Sequence, residues 1–312
     1  VRQRRIGCGG LLVGALGLCC QSGADPAEAD RGSDEAIAQI HRALAAGRTL
    51  LDTADVYGPF TDELLLGRAL AGRREQAVLA TKCGLVRDAG AGLVRDGRPE
   101  QVRKACDGSL RRLATERIDL YQLHRVDPDV PIEETWGAMA QLVSAGKVRA
   151  LGLCEVSVAQ LRRAQHVFPV TSVRAELSLW ARRALDGVLP WCRSHGVGFL
   201  AAAPLGRDRA GRCRAEVPDA ESASGTVEAA GGPDEAITAS LRTIAAARRL
   251  PPSVLALAWV LAQGDGVVPL LPGPAAADRY QTISPEALTL GTEDLLALGA
   301  APWSRPRQAS TA

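Results

Sequence analysis

A phenol, an ammonium, a carboxylate and an imidazole form the most suggestive set in this sequence: Tyr57, Lys82, Asp52 and His124. A free tyrosine, with a pKa near 10, exchanges protons sluggishly at neutral pH. A buried lysine beside it would stabilise the phenolate and lower that value, while an aspartate would hold and neutralise the lysine. A histidine could then orient a carbonyl oxygen that shares the tyrosine proton, which completes a proton-transfer and oxyanion site. Composition adds weight to Lys82. Only Lys82, Lys104 and Lys147 are lysines among 37 basic residues, so this position resists a strong drift towards arginine. The difference is chemical: arginine stays protonated and planar, whereas lysine is a compact ammonium suited to a buried carboxylate. Tyr57 is likewise one of 3 tyrosines. Taken singly, each residue has a plain structural alternative, since a strand-end aspartate caps turns and a lone tyrosine packs.

The elements that must position this set are legible in the hydrophobic pattern. Strand-like runs fall at 13–20, 48–54, 77–83, 118–125, 148–155, 171–178, 198–206 and 267–273. Helical patterns lie between them, the clearest at 34–46, 99–113, 131–145 and 252–263. Within 131–145 the apolar residues Ile132, Trp136, Met139 and Val143 recur at helical spacing. Pro131 and Glu133/Glu134 open that helix and Gly146 closes it. Strands alternating with helices predict a (β/α)8 TIM barrel, one domain over residues 1–312, with every strand C-terminus at a single mouth. No GxGxxG turn follows a strand, which argues against an open doubly wound sheet. Gly7-Cys8-Gly9-Gly10 reads as an N-terminal hairpin turn, and 207–234 as a long lid or excursion after the seventh strand. The Gly- and Ala-rich stretch 84–97 is expected to be a mobile mouth loop.

Composition bounds the class. A chain of 312 residues, 46% hydrophobic and 23% charged, with net charge +2, suits a globular enzyme and offers no electrostatic case for nucleic acid. No apolar run approaches the roughly 20 residues that span a bilayer. VRQRR followed by Leu11–Cys20 imitates a secretory signal, but its small residues alternate as in a strand. The expectation is therefore a first barrel strand in a cytoplasmic protein. The 8 cysteines show no CxxC pair and no histidine at zinc-ligand spacing, so reduced thiols and no metal are expected. Cys19, Cys20, Cys83 and Cys154, all at strand ends, are expected to approach the mouth. No heptad or apolar stripe specifies an oligomeric state.

The quoted residues resemble a known family. Leu51-Asp-Thr-Ala-Asp-Val-Tyr57-Gly, Ala80-Thr-Lys82 and Ile118-Asp-Leu-Tyr-Gln-Leu-His124 look like the aldo-keto reductase superfamily, as do 145–155, Leu177–Trp180, Pro204–Gly206 and 253–263. The resemblance spans almost the whole chain. It implies NADPH-dependent reduction of a small carbonyl compound, with Tyr57 as general acid supported by Lys82, Asp52 and His124. It also implies cofactor contacts at Cys154, Glu155, Arg174, Leu205, Gly206, Gly273 and Arg279.

Several of those positions depart from the family pattern. Cys154 and Glu155 stand where Ser and Asn are usual, Arg174 where a Gln reads the nicotinamide amide, and Ala202 where an aromatic ring stacks. Pro274 enters the phosphate segment and removes a backbone N–H, and Ile283 replaces an adenine-contacting Asn. Arg174 would set a cation beside an oxidised nicotinamide unless Glu155 paired with it. A second reading follows: a redox-neutral lyase, dehydratase, isomerase or cyclase that reuses the same four residues. A non-catalytic regulatory barrel is a third. Trp180 with Arg174, Arg182 and Arg183 could recognise an acidic or phosphorylated substrate, the plainer reading of Arg182 and Arg183 being solvated cations.

Overall fold

The computed structural model describes residues 3–7, 10–21, 33–88, 90, 92–206, 233–273 and 287–299. The chain opens with β1 (Gln3–Ile6) and β2 (Leu11–Gly14), an antiparallel hairpin, then bends into β3 (Gly17–Cys19). The expected single strand over 13–20 is thus two. Gly14 sits so close to the Gly47 carbonyl, and Gly17 so close to the Leu50 and Leu270 side chains, that neither has room for a Cβ. The chain can therefore turn there from hairpin into barrel.

The remaining elements alternate as the pattern predicts. After α1 (Ser33–Ala45) come β4 (Leu50–Asp52), α2 (Thr61–Ala69), β5 (Val78–Cys83), β6 (Leu85–Asp88) and β7 (Gly92–Arg95). Next are α3 (Pro99–Arg112), β8 (Ile118–Leu123), α4 (Ile132–Ser144), β9 (Val148–Cys154), α5 (Val158–Val167), β10 (Ser172–Glu176), α6 (Val188–Ser194) and β11 (Gly198–Ala202). The chain ends through α7 (Pro233–Ala247), α8 (Pro252–Leu261), β12 (Val267–Pro272) and α9 (Thr292–Ala297). Strands β3, β4, β5, β8, β9, β10, β11 and β12 close into a parallel barrel, so the (β/α)8 TIM barrel stands. Within 84–97, β6 and β7 pair antiparallel, where a mobile loop is expected. Most of 207–234 lies outside the described residues, although α7 begins at Pro233.

Strand alternation divides the side chains into two cores. Leu79, Cys83, Tyr121, Leu123, Leu151, Leu153, Val173, Phe199 and Leu271 face the helices, with Trp136, Trp191 and Trp259 buried among them. Cys19, Leu50, Ala80, Leu120, Ala150, Leu200, Val268 and Leu270 fill the lumen. The hairpin residues Ile6, Leu11 and Val13 join that inner set. Ile6 lies against Gly198 at the start of β11, so the hairpin plugs the end of the barrel opposite the mouth. Arg4 ties it down by donating to the carbonyls of Leu261, Gly264 and Val267. Residues 3–6 and 11–14 thus form a structural plug, and 17–19 a barrel strand. Among the described residues no single helix is long and apolar enough to cross a membrane.

Candidate active site

The apolar lumen ends abruptly in a polar layer. Two residues above Leu50, Ala80 and Leu120 on the same strands lie Asp52, Lys82 and Gln122, which the pleat points to the same side. Lys82 and Gln122 are register partners on β5 and β8, and both reach Asp52 at the end of β4. Lys82 Nζ donates to Asp52 Oδ2 at 2.8 Å and to the Thr53 carbonyl at 2.5 Å. Gln122 Nε2 donates to Asp52 Oδ1 at 2.7 Å. All three side chains are fully buried. The Asp52 backbone is held too, since its carbonyl accepts from Cys20 N at 2.7 Å.

Tyr57 stands above this layer, half-buried on the loop that leaves β4. Lys82 Nζ lies 5.1 Å from the centre of its ring. The His124 ring meets Tyr57 edge-on, with centroids 5.7 Å apart. The structure thus brings together Asp52, Tyr57, Lys82 and His124 as their spacing predicts. Gln122 is the member that sequence reasoning passed over. Its position two residues before His124 on one strand was the available signal.

The electrostatics correct one expectation and refine another. Burial pushes the Tyr57 phenol above its ordinary value and outweighs the opposing pull of Lys82 and Arg174. The ammonium acts in the expected direction but does not win, and the phenol keeps its proton at neutral pH. Burial presses hardest on Lys82 too, yet Asp52, then Tyr57 and Cys154, together outweigh it, and the lysine stays charged. Burial, then Lys82 and Arg174, drive His124 down to about 2, so its imidazole is neutral throughout the working range. Its Nδ1 is buried with no partner among the described residues. A protonated phenol beside a neutral imidazole and a charged lysine can give a proton to an oxygen and stabilise what remains.

Arg174 departs most from expectation. From β10, across the barrel from β4, its Nε comes 3.2 Å from Asp52 Oδ2, a charge contact without hydrogen-bond alignment. Its Nη2 points at Cys19 Sγ, 3.9 Å away. The anticipated pairing with Glu155 does not form. The Glu155 carboxylate instead accepts from the Glu176 backbone N–H at 3.0 Å and is exposed. The reason is geometric: at the end of β9 the chain turns at Glu155 (φ +51°), which carries its side chain out of the lumen.

A scan against family models matches the Aldo/keto reductase family over residues 25–293. The chain belongs to this family. Solved relatives include a glycerol dehydrogenase from Gluconobacter oxydans, 28% identical over 95% of this chain and 93% of that one, with TM-score 0.77. An aldo-keto reductase from Bacillus halodurans in its holo form is 29% identical over 98% and 99%, with TM-score 0.75. An aldo/keto reductase from Klebsiella pneumoniae in complex with NADP and acetate is 25% identical over 98% and 99%, also with TM-score 0.75.

In this aldo/keto reductase the described positions that the resemblance assigns to cofactor are engaged with the protein's own groups. The Cys154 thiol, which burial raises to about 11, is directed at Gln122 Oε1 at 3.8 Å. Leu205 is buried and Gly206 (φ +68°) lies tight against the Trp180 ring, whose Nε1 donates to Thr238 at 3.0 Å. Gly273 N donates to the Cys19 carbonyl at the end of β12. Arg279, Pro274 and Ile283 lie outside the described residues. A nicotinamide amide needs a donor and an acceptor side chain. Here Cys154 serves Gln122, Glu155 serves the β10 backbone, and Arg174 offers donors alone and is turned onto Asp52. The described residues therefore do not fit the nicotinamide end of the cofactor as the family pattern would have it.

Two smaller expectations also change. Cys19 lies in the lumen and Cys154 is directed at the lumen residue Gln122, but Cys20 and Cys83 turn outwards into the helix-facing core. Arg182 is no solvated cation. It donates to the carbonyls of Leu179, Leu298 and Gly299 and stacks 5.2 Å from the centre of the Trp259 ring, clamping the segment after α9. Arg183 is exposed, as expected. Among the described residues no group of carboxylates, cysteines and histidines could hold a metal ion.

Proposed function

We propose that this chain is an enzyme acting on a small carbonyl compound, with Tyr57 exchanging a proton with the carbonyl oxygen. The observation that carries the reading is the half-buried, proton-bearing phenol of Tyr57 between Lys82 and the neutral His124. Tyr57 gives its proton to the oxygen as negative charge develops there. Lys82, kept charged by Asp52, steadies the phenolate left behind. His124, unable to take a second proton, acts as a neutral partner that orients the oxygen. Gln122 locks Asp52 so that the lysine has one position.

Membership of the aldo/keto reductase family supports the reductive version, in which NADPH is the reductant and the product an alcohol. A redox-neutral version, in which Tyr57 protonates and deprotonates an enolisable substrate during elimination, dehydration, isomerisation or cyclisation, is favoured by one observation. The Arg174 guanidinium is drawn onto Asp52, so the described residues of the mouth offer no amide-reading pair. Titration of NADPH fluorescence separates the two: micromolar binding supports reduction, and no binding into the millimolar range supports redox-neutral work. In either version Tyr57→Phe abolishes turnover, and retained turnover would sink the role given to Tyr57.

A further inference from the structure

Among the described residues, the inner polar layer holds more positive charge than it neutralises. Lys82 and Arg174 both converge on Asp52 Oδ2, while Asp52 Oδ1 is taken by the uncharged Gln122. Asp52 is the single carboxylate in contact with either cation among the described residues, because Glu155 has turned away to Glu176 N. The other groups that could supply a negative charge do not. Burial raises the Cys19 thiol even with Arg174 beside it, and does the same to Cys154 and Tyr57. Arginine cannot shed its proton to relieve the excess. Counted over the described residues, the layer therefore carries one uncompensated positive charge, an arrangement that is costly in a buried setting unless an anion joins it.

The excess has an address. The Arg174 side chain keeps 12% of its surface exposed, whereas Lys82 and Asp52 have none. Among the described residues its Nη atoms meet nothing stronger than the Cys19 sulfur at 3.9 Å. A guanidinium edge of this kind matches the two oxygens of a carboxylate.

We infer that the mouth takes a monoanionic carboxylate substrate, a short oxo acid whose carboxylate lies on Arg174 while its carbonyl oxygen faces Tyr57 and His124. The surplus of one charge selects a monoanion over a dianion, and the planar fork selects a carboxylate over a spherical ion. The assignment rests on the redox-neutral version of the carbonyl reading for the second contact, because Arg174 stands where the nicotinamide amide would lie in the reductive one, and on Arg174 alone for the first.

Calorimetric titration with pyruvate and with its neutral methyl ester tests it. Intact protein is expected to bind pyruvate about tenfold or more tightly than methyl pyruvate, a difference of about 1.4 kcal/mol or more. Arg174→Gln should erase that preference and Arg174→Lys should keep part of it. Equal affinity for the two probes in the intact protein overturns the inference, and this comparison needs no variant to fold. Absence of pyruvate binding at millimolar concentration, tighter binding of inorganic phosphate, or an unchanged preference in a folded Arg174→Gln protein does so too. Tyr57→Phe separates the two readings, because it should stop turnover and leave the pyruvate preference intact. Loss of the preference with a Tyr57-dependent turnover removes the anion site only; a firm preference with turnover that survives Tyr57→Phe removes the proton-transfer reading only.

Discussion

Two charged layers lie back to back on strand β5, and they carry excesses of opposite sign. Inside the barrel, Lys82 and Arg174 share Asp52. Outside, Glu63 accepts from the Thr81 hydroxyl and from Arg112 Nε, each at 2.6 Å, and the charges of Glu63 and Arg112 both act on the buried Asp55, so two carboxylates face one arginine that pairs with Glu63. Adjacent residues, Thr81 and Lys82, point to opposite faces and serve opposite layers. The outer layer settles its excess by itself. Burial and the nearby Glu63 raise Asp55 to about 7, and its Oδ1 is buried without a hydrogen-bond partner among the described residues. A carboxyl group there can accept a proton and become neutral. The inner layer has no such exit, since its excess belongs to an arginine and to a lysine that Asp52 keeps charged. Opposite excesses thus have different consequences: one makes a titrating structural site, the other a site that calls for an anion.

Four substitutions would break or sharpen that contrast. The largest effect is expected for Tyr57→Phe, which leaves both layers in place and removes the proton. Turnover of any carbonyl compound the intact enzyme accepts should fall by about 100-fold or more, read from initial rates. Lys82→Met comes next. Breaking a buried ion pair costs about 3–5 kcal/mol, and because Arg174 remains on Asp52 the loss should sit at the lower end in urea melts. A loss below about 1 kcal/mol would mean that Arg174 alone satisfies Asp52.

Asp55→Asn probes the outer layer through pH. A carboxyl raised in the folded state contributes stability that is complete below its unfolded value, near 3.8, and is lost as pH rises through about 7. The variant lacks that dependence. It should therefore gain on the wild type by about 1 kcal/mol or more between pH 5 and pH 8 in paired melts. A constant difference across that range would contradict a titrating Asp55. The smallest effect belongs to Thr81→Val, which removes one neutral donor from Glu63 and should cost about 1–2 kcal/mol while leaving turnover unchanged. A marked loss of turnover would show that the two layers are coupled through β5.

Much of this was visible in the chain before folding. Asp52, Lys82 and His124 fall at strand ends, and in a parallel barrel that alone directs them to a common mouth. Helix α4 was legible from Pro131, Glu133, Glu134 and the helical spacing of its apolar residues. Other features were hidden for physical reasons. The bend between β2 and β3 depends on how closely Gly14 meets Gly47 and Gly17 meets Leu50, contacts between residues distant in sequence. The pairing of β6 with β7 was masked by the Gly and Ala content of the segment, which reads as mobility until two strands meet.

The partners of Arg174 were the least legible. Its place on a strand near the mouth was clear, as was its departure from the usual Gln, yet the nearest acid in the pattern, Glu155, proved to be the wrong one. Sequence by itself determined the barrel and the four residues at its mouth, because strand periodicity and the order of elements are local properties. Tertiary structure alone decided where the charge goes. Barrel closure set Asp52 across from Arg174 and the turn at Glu155 carried its carboxylate outside, and burial then kept the thiols and the phenol neutral. Charge balance is a sum over neighbours, and neighbours across a lumen are fixed only when the barrel closes.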